Sequence, residues 1–291
     1  MSWRTVVISA RCKLDLKMGY MVVRGEETHR IFLDDIALLM IENPAVSMTG
    51  VLLSALVDKK VKVIFCDREH TPQAELVPYY GCHDTSRKIS RQIAWTETAK
   101  GTVWGAIVAE KIRKQAEFLI ELGMQEEAEL LDSYIDSLEF QDASNREGHA
   151  AKVYFNAVFG RDFTRSSDSP ENAALNYGYT VMLSAVNREV AANGYLTQLG
   201  IHHRSVFNRF NLSSDLMEPF RILVDRAVYD AHPAELGRDT KRMLYNILNG
   251  QVIIDGKRCT VLNAVSIYVR SVFDALNGSD ISEIKFWNYE L

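Results

Sequence analysis

The spacing of the apolar residues changes once along this chain, and that change limits what it can fold into. Up to about residue 68, the runs RTVVISA, CKLDLKMGYMVVRG, THRIFL and VKVIFCD are rich in β-branched residues, broken by turn signals, and each reads as a short strand. Among them TGVLLSALVDKK, at 49–60, has helical spacing and predicts one helix lying before the last strand. From Ser86 on, apolar residues recur every three or four positions, which predicts helices over 86–122, 126–139, 146–159, 171–193, 214–230, 233–249 and 260–277. In the fourth of these, Leu175, Tyr179, Met182, Val186 and Val190 share one face, as a buried helix requires. QVIIDGKRCTV carries Asp-Gly between two β-branched runs and reads as a hairpin tucked between helices. The expected class is α+β: a small sheet domain over 1–75, a linker over 76–85, and an almost wholly helical domain over 86–291.

With 291 residues, 47% of them hydrophobic, the chain has ample material for a packed core. A net charge of -5 gives no global reason to expect nucleic acid, but the charge is unevenly placed. Ala116 to Phe140 holds eight acids and no Lys or Arg, whereas Asp84 to Gln115 holds seven basic residues against three acids, so an anionic partner has a local foothold. The four cysteines (Cys12, Cys66, Cys82, Cys259) show no C-x-x-C spacing, which suggests neither a zinc knuckle nor a disulfide framework. No apolar run approaches membrane length, and the N-terminus turns charged too soon for a signal peptide; the expectation is a soluble cytoplasmic protein.

The stretch LGIHHRSVFNRFNLSSDLMEPFR, at 199–221, sets two adjacent histidines ahead of Asp-x-x-Glu among arginines. Carboxylates suit a hard divalent cation, and an added imidazole shifts preference toward Mn²⁺ and other transition metals. Asp215 and Glu218, three apart on a helix, share a side and can face His203 across the preceding loop, while Glu147 lies near another helix start, flanked by Arg146 and Lys152. The same residues also spell helix caps. Asp215-x-x-Glu218 before Pro219, and Ser144-x-x-Glu147, both fit a capping box, and since every helix needs caps this is the default for either acid taken singly. Of His202 and His203 only one is expected to ligate, because neighbours on an extended segment point to opposite sides. Arg204, Arg209, Arg221 and Arg226 are nearly balanced by Asp215, Glu218 and Asp225, so their default reading is a solvated ion-pair surface; the functional reading is a phosphodiester lying against the cluster.

Other constellations carry less. There is no Walker loop, no G-x-S-x-G and no dinucleotide-binding glycine fingerprint. Cys82-His83 lacks a third member and reads as a linker feature, SRKISRQIAW reads as a wetted helix face, and Tyr177, Tyr179, Phe207 and Phe210 read as core rather than as base-stacking platforms.

Four segments together resemble, in order and spacing, the CRISPR-associated adaptation integrase, the endonuclease that inserts spacers into CRISPR arrays. They are IFLDDIALLMIENPAVSMTGVLLSALVDKKVKVIFCD (31–67), REGHAAKVYF (146–155), LNYGYTVMLSAVNREVAANGY (175–195) and the 199–221 stretch, whose wording is similar to the type II branch. The resemblance implies an N-terminal β-sandwich followed by a larger all-α C-terminal domain. It implies Mg²⁺ or Mn²⁺ held by Glu147, His203 and Glu218, with Asp215 assisting or outside the ligand set and His202 ambiguous. It implies a homodimer joined to a small adaptation partner protein, two dimers to one partner dimer, the N-terminal domain serving these contacts. The substrate would be double-stranded DNA, both spacer precursor and repeat, with Arg146, Lys152, Arg204 and Arg221 as candidate DNA contacts. A 3′-hydroxyl would attack a phosphodiester at the repeat boundary, with no covalent enzyme intermediate, no nucleotide cofactor and a reversible outcome. Two other classes fit the residues alone: a metal phosphohydrolase using the histidine pair, and a noncatalytic DNA-binding scaffold whose acids act only as caps.

Overall fold

The computed structural model describes residues 4–68, 72–76 and 82–289. Eight strands precede the long helices: β1 (Arg4–Ile8), β2 (Lys13–Lys17), β3 (Tyr20–Arg24), β4 (Thr28–Phe32), β5 (Ile36–Ile41), β6 (Ser47–Met48), β7 (Lys62–Cys66) and β8 (Pro72–Leu76), with helix α1 (Gly50–Asp58) before β7. They form two four-stranded sheets, ordered β1-β5-β7-β8 and β4-β3-β2-β6. The single run CKLDLKMGYMVVRG is in fact the hairpin β2–β3, turned by Met18 and Gly19, both at positive φ, so that Lys17 faces Tyr20. Leu14 and Met21 from one sheet and Leu39, Ile41 and Val63 from the other share a cluster with Leu52 and Leu56 of α1, which makes the unit a sandwich.

Strand β5 carries no strand signature in the sequence because all six of its residues are buried. Parallel to both β1 and β7, it points Leu39 and Ile41 into the sandwich and Leu38 and Met40 into the core of the helical part, so alternation of polar and apolar residues is erased. Met40 Sδ receives the Tyr177 hydroxyl at 3.5 Å, and the helical core thus continues onto the sheet. Of the linker expected over 76–85, residues 77–81 lie outside the described residues.

The helices are α2 (Thr85–Ile93), α3 (Glu97–Glu121), α4 (Gln125–Asp136), α5 (Arg146–Phe159), α6 (Pro170–Ala192), α7 (Asn211–Met217), α8 (Arg221–Ala231), α9 (Arg238–Asn246) and α10 (Val261–Gly278). The helix expected over 86–122 breaks because Thr96, in extended conformation, caps α3 by accepting the Ala99 N–H at 3.1 Å. The helix expected over 214–230 starts earlier and is interrupted by a 3-10 turn, Glu218–Phe220, where Pro219 supplies no N–H. In α6 the predicted apolar face is buried, but so are Tyr177, Gly178, Val181 and Ala185, which makes α6 a central helix covered all round. Gly178 lets α8 approach: a Cβ there would fall 2.4 Å from Val224 Cγ1. The expected hairpin is present as β9 (Gln251–Ile254) and β10 (Lys257–Thr260), turned by Asp255 and Gly256 at positive φ. A third strand, β11 (Trp287–Asn288), pairs with β9; at two residues it is too short to leave a periodic signal in the sequence.

Candidate active site

The approach to His203 is built by a loop that has almost no regular structure and many tethers. Gln92 of α2 donates to the carbonyls of Leu196 (2.8 Å) and Leu199 (3.0 Å), and Asn211 at the start of α7 donates to those of Gln198 (3.1 Å) and Ser205 (2.9 Å). Asp215, wholly buried, completes the loop. Its carboxylate accepts the N–H groups of Ile201 (2.7 Å), His202 (3.1 Å) and His203 (3.1 Å), and lies 2.5 Å from His203 Nδ1. Gly200 is required by the same packing: a Cβ would sit 2.4 Å from the His203 carbonyl oxygen and 2.7 Å from Asp215 Oδ2. Asp215 therefore caps a loop, not its own helix, and the capping-box reading of Asp215 and Glu218 fails because α7 already began at Asn211.

The carboxylate of Asp215 fixes the imidazole. With Nδ1 committed to Asp215, Nε2 is left facing outward, and among the described residues no hydrogen bond engages it. The Asp215 hydrogen bond raises the His203 pKa above its ordinary value; partial burial opposes this, and the charges of Asp215, Glu218 and Glu147 reinforce it. His202 does something else. Its ring stacks on buried Trp104 of α3, 4.3 Å between centroids and 7° between planes, while His203 meets the same indole edge-on at 5.8 Å. The two imidazoles thus share a neighbour rather than pointing to opposite sides, because the loop here is not an extended strand.

Glu218 stands in the 3-10 turn between α7 and α8 and is only 2% exposed. It does not reach back to cap a helix. Arg221 Nε donates to its Oε1 at 2.9 Å, and Lys111 Nζ of α3 lies 2.5 Å from its Oε2. Burial opposes its ionisation, but Arg221 and Lys111 outweigh it and hold the carboxyl down at about 2. The turn is braced from behind by β11: Trp287 Nε1 donates to the Pro219 carbonyl at 3.1 Å and the indole stacks with Phe220.

Glu147 enters from α5. The first N–H groups of that helix are satisfied by Asp142, which accepts from Arg146 (2.6 Å) and Glu147 (3.0 Å), while the Ser144 hydroxyl expected to do this is buried without a hydrogen-bond partner. Gln141, Asp142 and Asn145 all hold positive φ, so three non-glycine residues in a left-handed conformation precede Glu147. Its carboxylate accepts from Lys111 Nζ at 2.5 Å. Glu147 and Glu218, on separate helical segments far apart along the chain, are thus brought to one ammonium.

Lys111 is the residue that sequence reading missed. It sits seven positions after Trp104 and four after Ile107, on the buried face of α3, and a cation at helical spacing within that face was the available signal, one that Lys114 also gives. The arginine cluster expected to be solvated is so only in part, with Arg204 and Arg209 exposed and Arg221 turned inward. Asp215, Glu218 and Asp225 are buried, Arg221 lies against Glu218 and stacks over Tyr179 at 4.6 Å, and Arg226 pairs with Glu121. Tyr179 in turn donates to Asp225. Arg204 is exposed and pairs with Glu97 at 2.5 Å, Lys152 is exposed, and Arg146 lies over the Tyr134 ring at 5.6 Å. Tyr177 and Tyr179 are core as expected, but Phe207 is 93% exposed at the loop tip beside Val206, so it is not core. His203 opens into a cleft of about 530 Å³ whose walls include Lys100, Arg204 and Arg209.

The donor set fits a divalent cation in kind: the carboxylates of Glu147 and Glu218 and the outward imidazole nitrogen of His203. The three groups are not yet closed on one point. Among the described residues the trio of such donors lying within 4.8 Å of one another is Cys82, His83 and Asp84, where the Cys82 thiol donates to Asp84 at 2.6 Å; Cys82-His83 does therefore have a third member, supplied by the next residue along.

Residues 5–236 match the family model described as CRISPR associated protein Cas1. A CRISPR-associated endonuclease Cas1 from Neisseria meningitidis serogroup C (strain 8013) is 34% identical over 291 residues, 98% of this chain and 96% of the relative. Among solved structures, a casposase bound to integration product superposes with a TM-score of 0.75 at 17% identity, over 96% of this chain and 91% of the other. A Cas6-RT-Cas1--Cas2 complex contains a chain that superposes with a TM-score of 0.76 at 18% identity, over 99% of this chain and 36% of that longer one. At such identities the structural likeness is one of fold, a sandwich followed by a helical domain. The match to the family model and the near full-length relative together decide membership: the chain belongs to the CRISPR-associated Cas1 family.

Proposed function

We propose that this protein is a divalent-metal-dependent DNA integrase and endonuclease that inserts spacer DNA into a CRISPR array by direct transesterification. Membership of a family whose relatives are named endonucleases supports the nuclease chemistry, and the fold shared with a casposase bound to integration product supports strand transfer. The observation that carries the reading is the convergence of Glu147 and Glu218, from α5 and from the turn before α8, on one cation beside an imidazole that Asp215 holds with Nε2 outward.

In this reading Glu147, His203 and Glu218 hold Mg²⁺ or Mn²⁺, which when bound stabilises the charge that builds on the phosphoryl oxygens. Asp215 serves from outside the ligand set: it fixes the tautomer of His203 and ties down the loop that carries it. Arg221 keeps Glu218 ionised and turned inward. Arg204, which lines the cleft, and Lys152 and Arg146 on α5 would contact phosphates, with sequence preference drawn from DNA shape and partner proteins. A 3′-hydroxyl of the spacer attacks an array phosphodiester; a new O–P bond forms, the old one breaks, and the displaced strand leaves with a 3′-hydroxyl. Bond number is conserved, so the reverse disintegration reaction also runs. The working form is a homodimer joined to a small partner of the Cas2 kind, the latter supported by the presence of Cas2 in the Cas6-RT-Cas1--Cas2 complex.

The test is strand transfer on branched half-site DNA with Mn²⁺ or Mg²⁺. Glu147→Ala and His203→Ala are expected to lower joining at least about a hundredfold while DNA retention stays. Joining that survives both substitutions, or release of inorganic phosphate from small substrates without strand transfer, overturns the proposal.

A further inference from the structure

We propose that Lys111 is a built-in, displaceable counter-ion of the metal site: its ammonium occupies the position between Glu147 and Glu218 in the metal-free protein and must leave it for a cation to bind. The inference rests on the metal reading above and adds what controls access to that site.

Three observations carry it. Lys111 is 8% exposed, and its ammonium lies 2.5 Å from Glu147 Oε1 and 2.5 Å from Glu218 Oε2, so a single positive centre bridges the two carboxylates. A divalent ion would sit about 2.0–2.1 Å from carboxylate oxygens, inside the volume that the ammonium fills, so ion and ammonium exclude each other. Glu218 is buried while Glu147 keeps some exposure, so the ammonium joins an inner carboxylate to an outer one. Lys111 reaches the acids from α3, an element that contributes neither carboxylate, and its four-carbon stem lets the head move while the helix stays in place.

The arrangement solves a problem that any such site faces before its metal arrives. Two carboxylates drawn to one point, one of them buried, would repel each other without a cation and favour local opening. Lys111 holds both in place, and the same charge lowers the affinity for free metal, so loading is conditional on the ammonium finding another anion. A strand phosphate in the adjoining cleft is such an anion.

Mn²⁺ affinity of the full chain without DNA, measured by calorimetry or by the electron paramagnetic resonance signal of free Mn²⁺, tests this on Lys111→Met. The variant is expected to bind Mn²⁺ at least about tenfold more tightly than the parent, a difference near 1.4 kcal/mol, and to melt lower without metal but recover its melting temperature when Mn²⁺ is added. Lys111→Arg, which keeps the charge, should not gain affinity. An unchanged or weaker Mn²⁺ affinity in a folded Lys111→Met overturns the proposal, since a lysine that merely packs would lower the melting temperature without sharpening metal binding. The parent protein offers a second readout that does not depend on the variant folding: reductive methylation of Lys111, followed by peptide mass spectrometry, should rise with Mn²⁺ while other buried lysines stay protected, and labelling indifferent to Mn²⁺ overturns the proposal. Glu147→Gln separates the two levels. If Lys111→Met binds Mn²⁺ no better than Lys111→Met combined with Glu147→Gln, the metal reading itself fails and this inference with it; if binding depends on Glu147 but not on Lys111, only the counter-ion role fails.

Discussion

At the scale of single residues, the pair His203 and Asp215 ties chemistry to pH. A proton and a metal ion compete for the imidazole, and the Asp215 hydrogen bond raises the His203 pKa above its ordinary 6.5. Metal-dependent joining should therefore fall as pH drops through a midpoint above that value. Asp215→Asn removes the charge that raises it, so the midpoint moves to lower pH, while the plateau also drops because the loop loses its tether. Initial rates of strand transfer between about pH 5.5 and 8.5 at Mn²⁺ well below saturation would check this, and a profile flat across that window would contradict it. The metal-free fold responds with the opposite sign: stability from the protonated His203 and Asp215 pair is complete below the unfolded pKa and is lost as pH rises through the raised one. Much of this site was legible in the sequence as residue types at a spacing, but their roles were not. Asp215 and Glu218 spell a cap equally well, and only the position of α7, which starts at Asn211, shows that neither one caps. Lys111 was legible only as one of several charges at helical spacing on α3, and its partners come from elements far away in sequence.

Among elements, the crossing of α6 and α8 holds a second group whose ionisation is set by burial. Asp225 accepts the Tyr179 hydroxyl in a fully buried setting, and desolvation pushes its pKa to about 6 despite that hydrogen bond and the nearby Arg221. A folded-state value raised above the unfolded 3.8 means that ionised Asp225 costs stability above about 6, and that the cost fades as pH falls toward 3.8. The full shift corresponds to about 3 kcal/mol. The melting temperature of the metal-free protein should accordingly rise between about pH 7.5 and 5.5, with the His203 pair adding in the same direction. Asp225→Asn, which keeps an acceptor for Tyr179, should melt at or above the parent at the upper pH and show a shallower slope; an unaltered slope would refute the assignment. The helices were mostly readable at this scale because their faces repeat. The errors fell where a local device overrides the period, as at Thr96 and Pro219, or where burial on both sides removes the alternation, as in β5.

Across the whole molecule, the division into sandwich and helical part leaves one region of the first without a partner among the described residues. The β1-β5-β7-β8 sheet is covered on both faces, by the second sheet and by α6. At the end of the second sheet, the β2–β3 hairpin and β4 expose Met18, Tyr20 and Phe32, and the latter two pair across the strands with ring centroids 5.3 Å apart. Exposed apolar side chains grouped in this way mark contact surfaces more often than scattered ones do, and the homodimer proposed above needs such a surface away from the helical site. Replacing Met18 and Tyr20 together by Glu is expected to convert a dimer to a monomer by light scattering, with a small drop in melting temperature from the lost Tyr20–Phe32 pair. Mn²⁺ binding should survive, since Glu147, His203 and Glu218 all belong to one chain, whereas integration of both spacer ends, which needs two sites held at a fixed spacing, should fail at the second end. A variant that stays dimeric would move the contact elsewhere on the sandwich. One that becomes monomeric yet still completes both joints would separate assembly from chemistry and leave the dimer without a role in the reaction.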